Sequence, residues 1–151
     1  MRTVLFICTG NTCRSPMAEA IARHAIESGL LGDDHDMFVA SAGVFAGDGS
    51  PTSPETLEAL KTHGIQFDGS STPLSVDMIV NADRVFCMTR SHERLARDLV
   101  ADQPLEIEKI QLLDPQGDVQ DPIGQGQSAY DALARQFLDL IPTRIKEVLV
   151  P

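Results

Sequence analysis

The feature that most restricts this chain is the unbroken apolar run at residues 3–8, Thr-Val-Leu-Phe-Ile-Cys. A half-exposed strand would alternate apolar and polar residues, so a continuous run of β-formers implies a strand covered on both faces. Such strands belong to parallel sheets, whose crossover connections are helices. The residues that follow supply one at once. Ser15 is placed as an N-cap and Pro16 as the first helical residue. Ala18, Ile21, Ala22, Ala25 and Ile26 then recur at helical spacing, and Gly29 ends the helix.

The alternation continues. "MFVASAG" (37–43) reads as a second strand, and Ser53-Pro54-Glu55 opens a helix running through Leu57 and Leu60 to Gly64. A short helix near 75–81 precedes a strand at 84–88; a helix near 90–101 and a strand near 107–112 follow. Residues 114–127, "DPQGDVQDPIGQGQ", form a turn-rich loop long enough to suggest a function. The last helix is expected to start at Ser128 with Asp131 as its capping-box-like partner. Its stripe of Tyr130, Leu133, Phe137, Leu140, Ile141, Ile145 and Val148 runs past Pro142, which should kink the helix rather than end it. Without repeats or linkers, residues 1–151 are expected to make one α/β domain. Its four-stranded parallel sheet should carry helices on both faces, in the flavodoxin-like manner.

The formal charge is −10 and no run of Lys or Arg stands out. That argues against nucleic acid or an anionic membrane as the main partner, but a small anion needs only a few local donors. No segment approaches the ~18 apolar residues of a membrane span, and "MRTVLFIC" is too short an apolar run for a signal peptide. Cys8, Cys13 and Cys87 are odd in number and lack zinc-like spacing, so free thiols and a cytoplasmic location are expected. His24, His35, His63 and His92 show no metal spacing and read as surface or packing residues; neither metal nor cofactor is expected.

In an open parallel sheet, ligands bind at the carboxyl ends of strands, where the loop from Cys8 to Ser15 lies. Backbone N–H groups from Thr9 through Ser15 can converge there on an anion, helped by the positive end of the helix dipole. Gly10 and Asn11 are best able to adopt the left-handed conformations this requires. The same field favours a thiolate at Cys8. Arg14 offers a charged fork for two phosphate oxygens. A thiolate beneath a phosphate cradle is the equipment for transfer through a cysteinyl-phosphate. The plainer reading makes Cys8 a small buried hydrophobe and Ser15 a simple cap. A phosphatase also needs an acid for the leaving group. Asp114-Pro115 and Asp121-Pro122 both offer one, and both can be turns.

"VLFICTGNTCRSPMAEA" (4–20) resembles the signature of the low-molecular-weight protein tyrosine phosphatases. A bare Cys-x5-Arg is common by chance; here Cys8, Gly10, Asn11, Cys13, Arg14, Ser15 and Pro16 all fall in the pattern. The likeness continues through "SAG" at 41–43, "HGI" at 63–65, "CM" at 87–88 and Asp121-Pro122. It implies a metal-independent phosphoprotein phosphatase that also binds phosphate and oxyanion inhibitors. Cys8 is then the nucleophile, and Asp121 the acid and later the base for water. Ser15 helps hold the thiolate, Asn11 and Ser41 brace the loop, and Cys8 and Cys13 form a reversible protective disulfide.

Two departures stand out. Ile123 replaces the aromatic residue usual after Asp-Pro, leaving Phe45 to supply a cleft wall, and Gly69 stands where many relatives carry a histidine. Thr12 replaces the bulky apolar residue usual in the tyrosine phosphatases. With "SAGVFA", "MT" at 88–89 and "GDVxDP" at 117–122, it resembles the bacterial protein-arginine phosphatase branch. That implies phosphoarginine side chains as substrate, with phosphotyrosine as the alternative; the Thr12 hydroxyl suits a guanidinium or the attacking water. An arsenate reductase would need a cysteine beyond Cys87, which is expected to be buried and inert. A non-catalytic anion-binding module would tolerate loss of the thiol or the acid, and this chain keeps both.

Overall fold

A computed structural model describes residues 1–32 and 36–149, so His35 lies outside the described residues. Four strands, β1 (Arg2–Cys8), β2 (Met37–Gly43), β3 (Arg84–Cys87) and β4 (Ile110–Leu112), form one parallel sheet in the order β2-β1-β3-β4. β1 is paired on both sides, with Cys8 opposite Gly43 and Ile7 opposite Cys87.

That central place explains the unbroken apolar run, because alternate residues of β1 feed two cores. Val4, Phe6 and Cys8 pack toward α1 (Arg14–Glu27), α2 (Pro54–Lys61) and α6 (Gln127–Leu149). Leu5 and Ile7 pack on the other side against Ile79 of α3 (Val76–Asn81), and Ala96 of α4 (Arg90–Leu99). Helices therefore cover both faces of a single-domain α/β fold, as expected. The chain leaves β1 for β2 on one side and crosses to β3 on the other. The switch point, where open sheets bind ligands, is at the carboxyl ends of β1 and β3.

Several local expectations need correction. Ser15 is not the cap of α1: the helix begins at Arg14, its cap position is Cys13, and no side chain caps it. The Ser15 hydroxyl is engaged with Cys8 instead. The fourth strand is shorter than residues 107–112. Pro104 opens a short helix, α5 (Pro104–Glu108), and only Ile110–Leu112 pair with β3. α4 ends at Leu99, short of 101. α6 starts one residue early, and the Asp131 carboxylate accepts from Gln127 Nε2 at 3.0 Å. It continues through Pro142 to Leu149. No helix among the described residues is long and apolar enough to cross a membrane.

Candidate active site

Cys8, the last residue of β1, is buried with its Sγ 2.8 Å from Ser15 Oγ. Between them the loop turns at Asn11, whose φ of 57° is the one left-handed non-glycine backbone among the described residues. Such a conformation persists only where the surroundings hold it, and Asn11 is held on every side. Its Nδ2 donates to Ser15 Oγ at 2.8 Å and to Ser41 Oγ at 2.9 Å, while its Oδ1 accepts the Thr72 amide at 2.8 Å. Ser41 in turn donates to Glu19 Oε1 at 2.7 Å, and Glu19 pairs with Arg23. Ser15 Oγ accepts from Asn11 and shares a hydrogen bond with the Cys8 sulfur in which either atom can be the donor.

The loop's carbonyls face its supports. Cys8 O accepts the Val44 amide, Thr9 O the Phe45 amide and Thr12 O the Ser53 amide, at 2.9–3.0 Å. The amides of Gly10, Asn11, Thr12 and Cys13 donate to no other described group, as a cradle for an anion requires. Gly43 permits this close packing, since a Cβ there would lie 2.4 Å from Thr9 O.

Arg14 is buried, with one guanidinium nitrogen donating to Val119 O at 3.0 Å and the other 3.6 Å from Asp121 Oδ2. Asp114 and Asp121 each close a local turn, accepting the Gln116 and Ile123 amides respectively. Only Asp121 also faces Arg14, which separates two residues alike in sequence. Phe45 is tied by its amide to Thr9 and exposes 76% of its surface; Ile123 exposes 65%.

All three cysteines are free. The Cys13 sulfur lies within 3.5 Å of Ser53 Oγ and 3.6 Å of the Tyr130 hydroxyl, with Thr12 Oγ1 at 3.8 Å. Burial, and then the bond to Cys13, push the Tyr130 hydroxyl toward its neutral form. Burial does the same to the Cys87 thiol, as expected of an inert packing residue.

Reading His92 as a surface or packing residue missed its place in the site; His24 and His63 are exposed. His92 is buried with Nε2 2.8 Å from Thr9 Oγ1, and burial followed by the Arg14 charge lowers its pKa to about 4. Nothing in its spacing could have shown this, because the contact joins residues 83 positions apart. Glu19 was also missed, although "MAEA" places it one helical turn after Ser15. At Gly69, where many relatives carry a histidine, a Cβ would meet the Phe67 ring at 2.4 Å. No group of three metal-ligating side chains is assembled among the described residues.

Comparison with known proteins identifies the family. The family described as low molecular weight phosphotyrosine protein phosphatase matches residues 3–149. The chain belongs to this family. Low-molecular-weight phosphatases similar to it include the protein-arginine-phosphatase of Bacillus subtilis, 32% identical over 148 residues, covering 96% of this chain and 95% of that protein. PtpB of Staphylococcus haemolyticus, a low-molecular-weight protein-tyrosine-phosphatase, is 33% identical over 138 residues, 91% and 94% of the two chains. Among solved structures, a cysteine-to-serine mutant of the arginine phosphatase YwlE carries a phosphorylated active-site serine. It matches with a TM-score of 0.87 at 31% identity, covering 98% of this chain and 96% of its own. As a low-molecular-weight phosphatase, the chain is a cysteine-dependent protein phosphatase.

Proposed function

We propose that this phosphatase hydrolyses phosphoarginine side chains of proteins through a Cys8 phosphoenzyme, without a metal. The observation that carries the mechanism is the hydrogen-bonded series of Asn11, Ser15 and the Cys8 sulfur, beside loop amides that donate to no other described group. In the first step the Cys8 thiolate attacks phosphorus. The P–N bond breaks as the S–P bond forms, and Asp121 gives its proton to the departing guanidine nitrogen. In the second step Asp121 takes a proton from water, the water oxygen bonds to phosphorus, and Cys8 leaves as thiolate. Arg14 and the amides of the loop from Thr9 to Ser15 hold the phosphoryl oxygens throughout.

Phosphoarginine is supported by Thr12 in the phosphate loop and by the B. subtilis relative. Phosphotyrosine remains the second reading, favoured by exposed Phe45 beside Thr9, against which a phenyl ring can stack. The three free thiols fit a reducing cytoplasm, and the Cys13 thiol fits a reversible partner for Cys8 under peroxide.

The experiment is turnover of matched phosphoarginine and phosphotyrosine peptides by the wild type, Cys8→Ser and Thr12→Ile. Cys8→Ser should lose hydrolysis and keep phosphate-analogue binding; substantial residual turnover rejects the mechanism. Thr12→Ile should shift preference toward phosphotyrosine, and an unchanged ratio rejects Thr12 as the selector.

A further inference from the structure

His92 takes no part in the chemistry above, yet it stands where the pieces of the site join. It lies in the first turn of α4, 3% exposed, with Nε2 against Thr9 Oγ1. In the same turn the Arg90 amide is held by Asp118 Oδ1 at 2.9 Å, and just before it Met88 O accepts the Val119 amide at 2.8 Å. The phosphate loop and the acid loop are therefore both tied to the start of α4.

The ring's Nδ1 is buried and has no hydrogen-bond partner. A buried acceptor without a partner is better tolerated than a buried donor without one. The single proton of the neutral ring therefore belongs on Nε2, which then donates to Thr9 Oγ1. Burial and the neighbouring Arg14 guanidinium oppose a second proton, with Asp118 and Asp121 acting weakly the other way. Thr9 is exposed, and its Oγ1 makes no other hydrogen bond to a described group. With its lone pair occupied by His92, the hydroxyl hydrogen must point away from the ring.

We propose that His92 is a positioning residue that donates from Nε2 to Thr9 Oγ1 and thereby turns the Thr9 hydroxyl hydrogen toward the bound phosphoryl group. The inference rests on the phosphatase reading of the site. It adds a side-chain donor to the backbone cradle, next to the nucleophile, where charge builds up in the transition state.

Nitrogen-15 NMR of the unliganded protein should find the His92 ring in the Nε2–H form; the Nδ1–H form overturns the proposal. Thr9→Val and His92→Phe should each lower kcat roughly tenfold, the value of one donor, with little change in KM. The double variant should be no slower than either single one. His92→Gln, whose amide N–H can take the place of Nε2–H, should recover most of the rate. Effects that multiply in the double variant, or a Thr9→Val enzyme as fast as wild type, overturn it. Should His92→Phe not fold, Thr9→Val, His92→Gln and the tautomer still decide. Failure of the phosphatase reading has a different signature: an inactive wild type, or a Cys8→Ser enzyme that still turns over, with the tautomer unaffected.

Discussion

Of the two loops that meet at Arg14, residues 9–13 are held from several sides, whereas residues 114–126 are held at few points. Asn11 alone makes three side-chain hydrogen bonds in the first loop, and its partners extend the brace to Glu19 and Arg23. The second loop is mostly exposed. Val119 anchors it through Met88 O and Arg14, and Asp118 through the Arg90 amide, while Asp114 and Asp121 accept amides within their own turns. Gly124 and Gly126 both have φ values in the left-handed region, at 75° and 88°. The difference follows from the proposed tasks. A nucleophile and its anion cradle gain most from fixed geometry. An acid that serves two successive steps, first on a leaving group and then on water, must tolerate different partners.

The contrast can be broken most severely at Arg14, which belongs to both loops. Arg14→Lys loses the planar fork and the bond to Val119 O, so kcat on any phosphorylated substrate should fall on the order of 10³-fold. Vanadate binding, measured alongside, should weaken as well. Asp121→Asn should cost on the order of 10²-fold or more in kcat while vanadate binding is retained. Asp114→Asn should stay within about twofold of wild type; the reverse ranking would reassign the acid.

Stability separates the loops in another way. His92 titrates at about 4 in the folded chain, against about 6.5 for an unperturbed histidine. Between those values the unfolded state binds more protons, so stability rises with pH across the window. It should fall by up to about 3 kcal/mol as pH drops from 7 to 4. Denaturant midpoints across that range should flatten in His92→Gln. Asn11→Ala removes three hydrogen bonds made by a buried side chain and should destabilise the fold by about 2 kcal/mol. Asp121→Asn, half-exposed, should change stability by less than about 0.5 kcal/mol. The smallest effect concerns the cleft wall: Ile123→Phe should improve kcat/KM for phosphotyrosine peptides over phosphoarginine peptides by a few-fold, the value of one exposed aromatic contact.

Much of this was legible in order along the chain. The run at 3–8, the Ser-Pro helix starts and the Cys8-to-Ser15 register each depend on neighbours in sequence, and they led to the sheet, the helices and the phosphate loop. The errors were equally local. The Ser-Pro pair suggested a cap at Ser15, but a side chain needed at the sulfur cannot also cap the helix. Pro104 hides a helical turn ahead of β4 because five residues are too few to show a periodicity.

By itself the sequence determined the chemistry available: one thiol in a phosphate-loop register, one guanidinium, two candidate acids and no crowd of metal ligands. Which acid faces Arg14, which buried histidine supports Thr9 and which carboxylate ends the Asn11 brace were decided only by the tertiary structure. Parallel pairing brings the ends of β1, β2 and β3 to one edge, placing residues 8, 41 and 92 around one cleft. Contacts between residues so far apart in the chain depend on how the strands are ordered, and no local pattern encodes them.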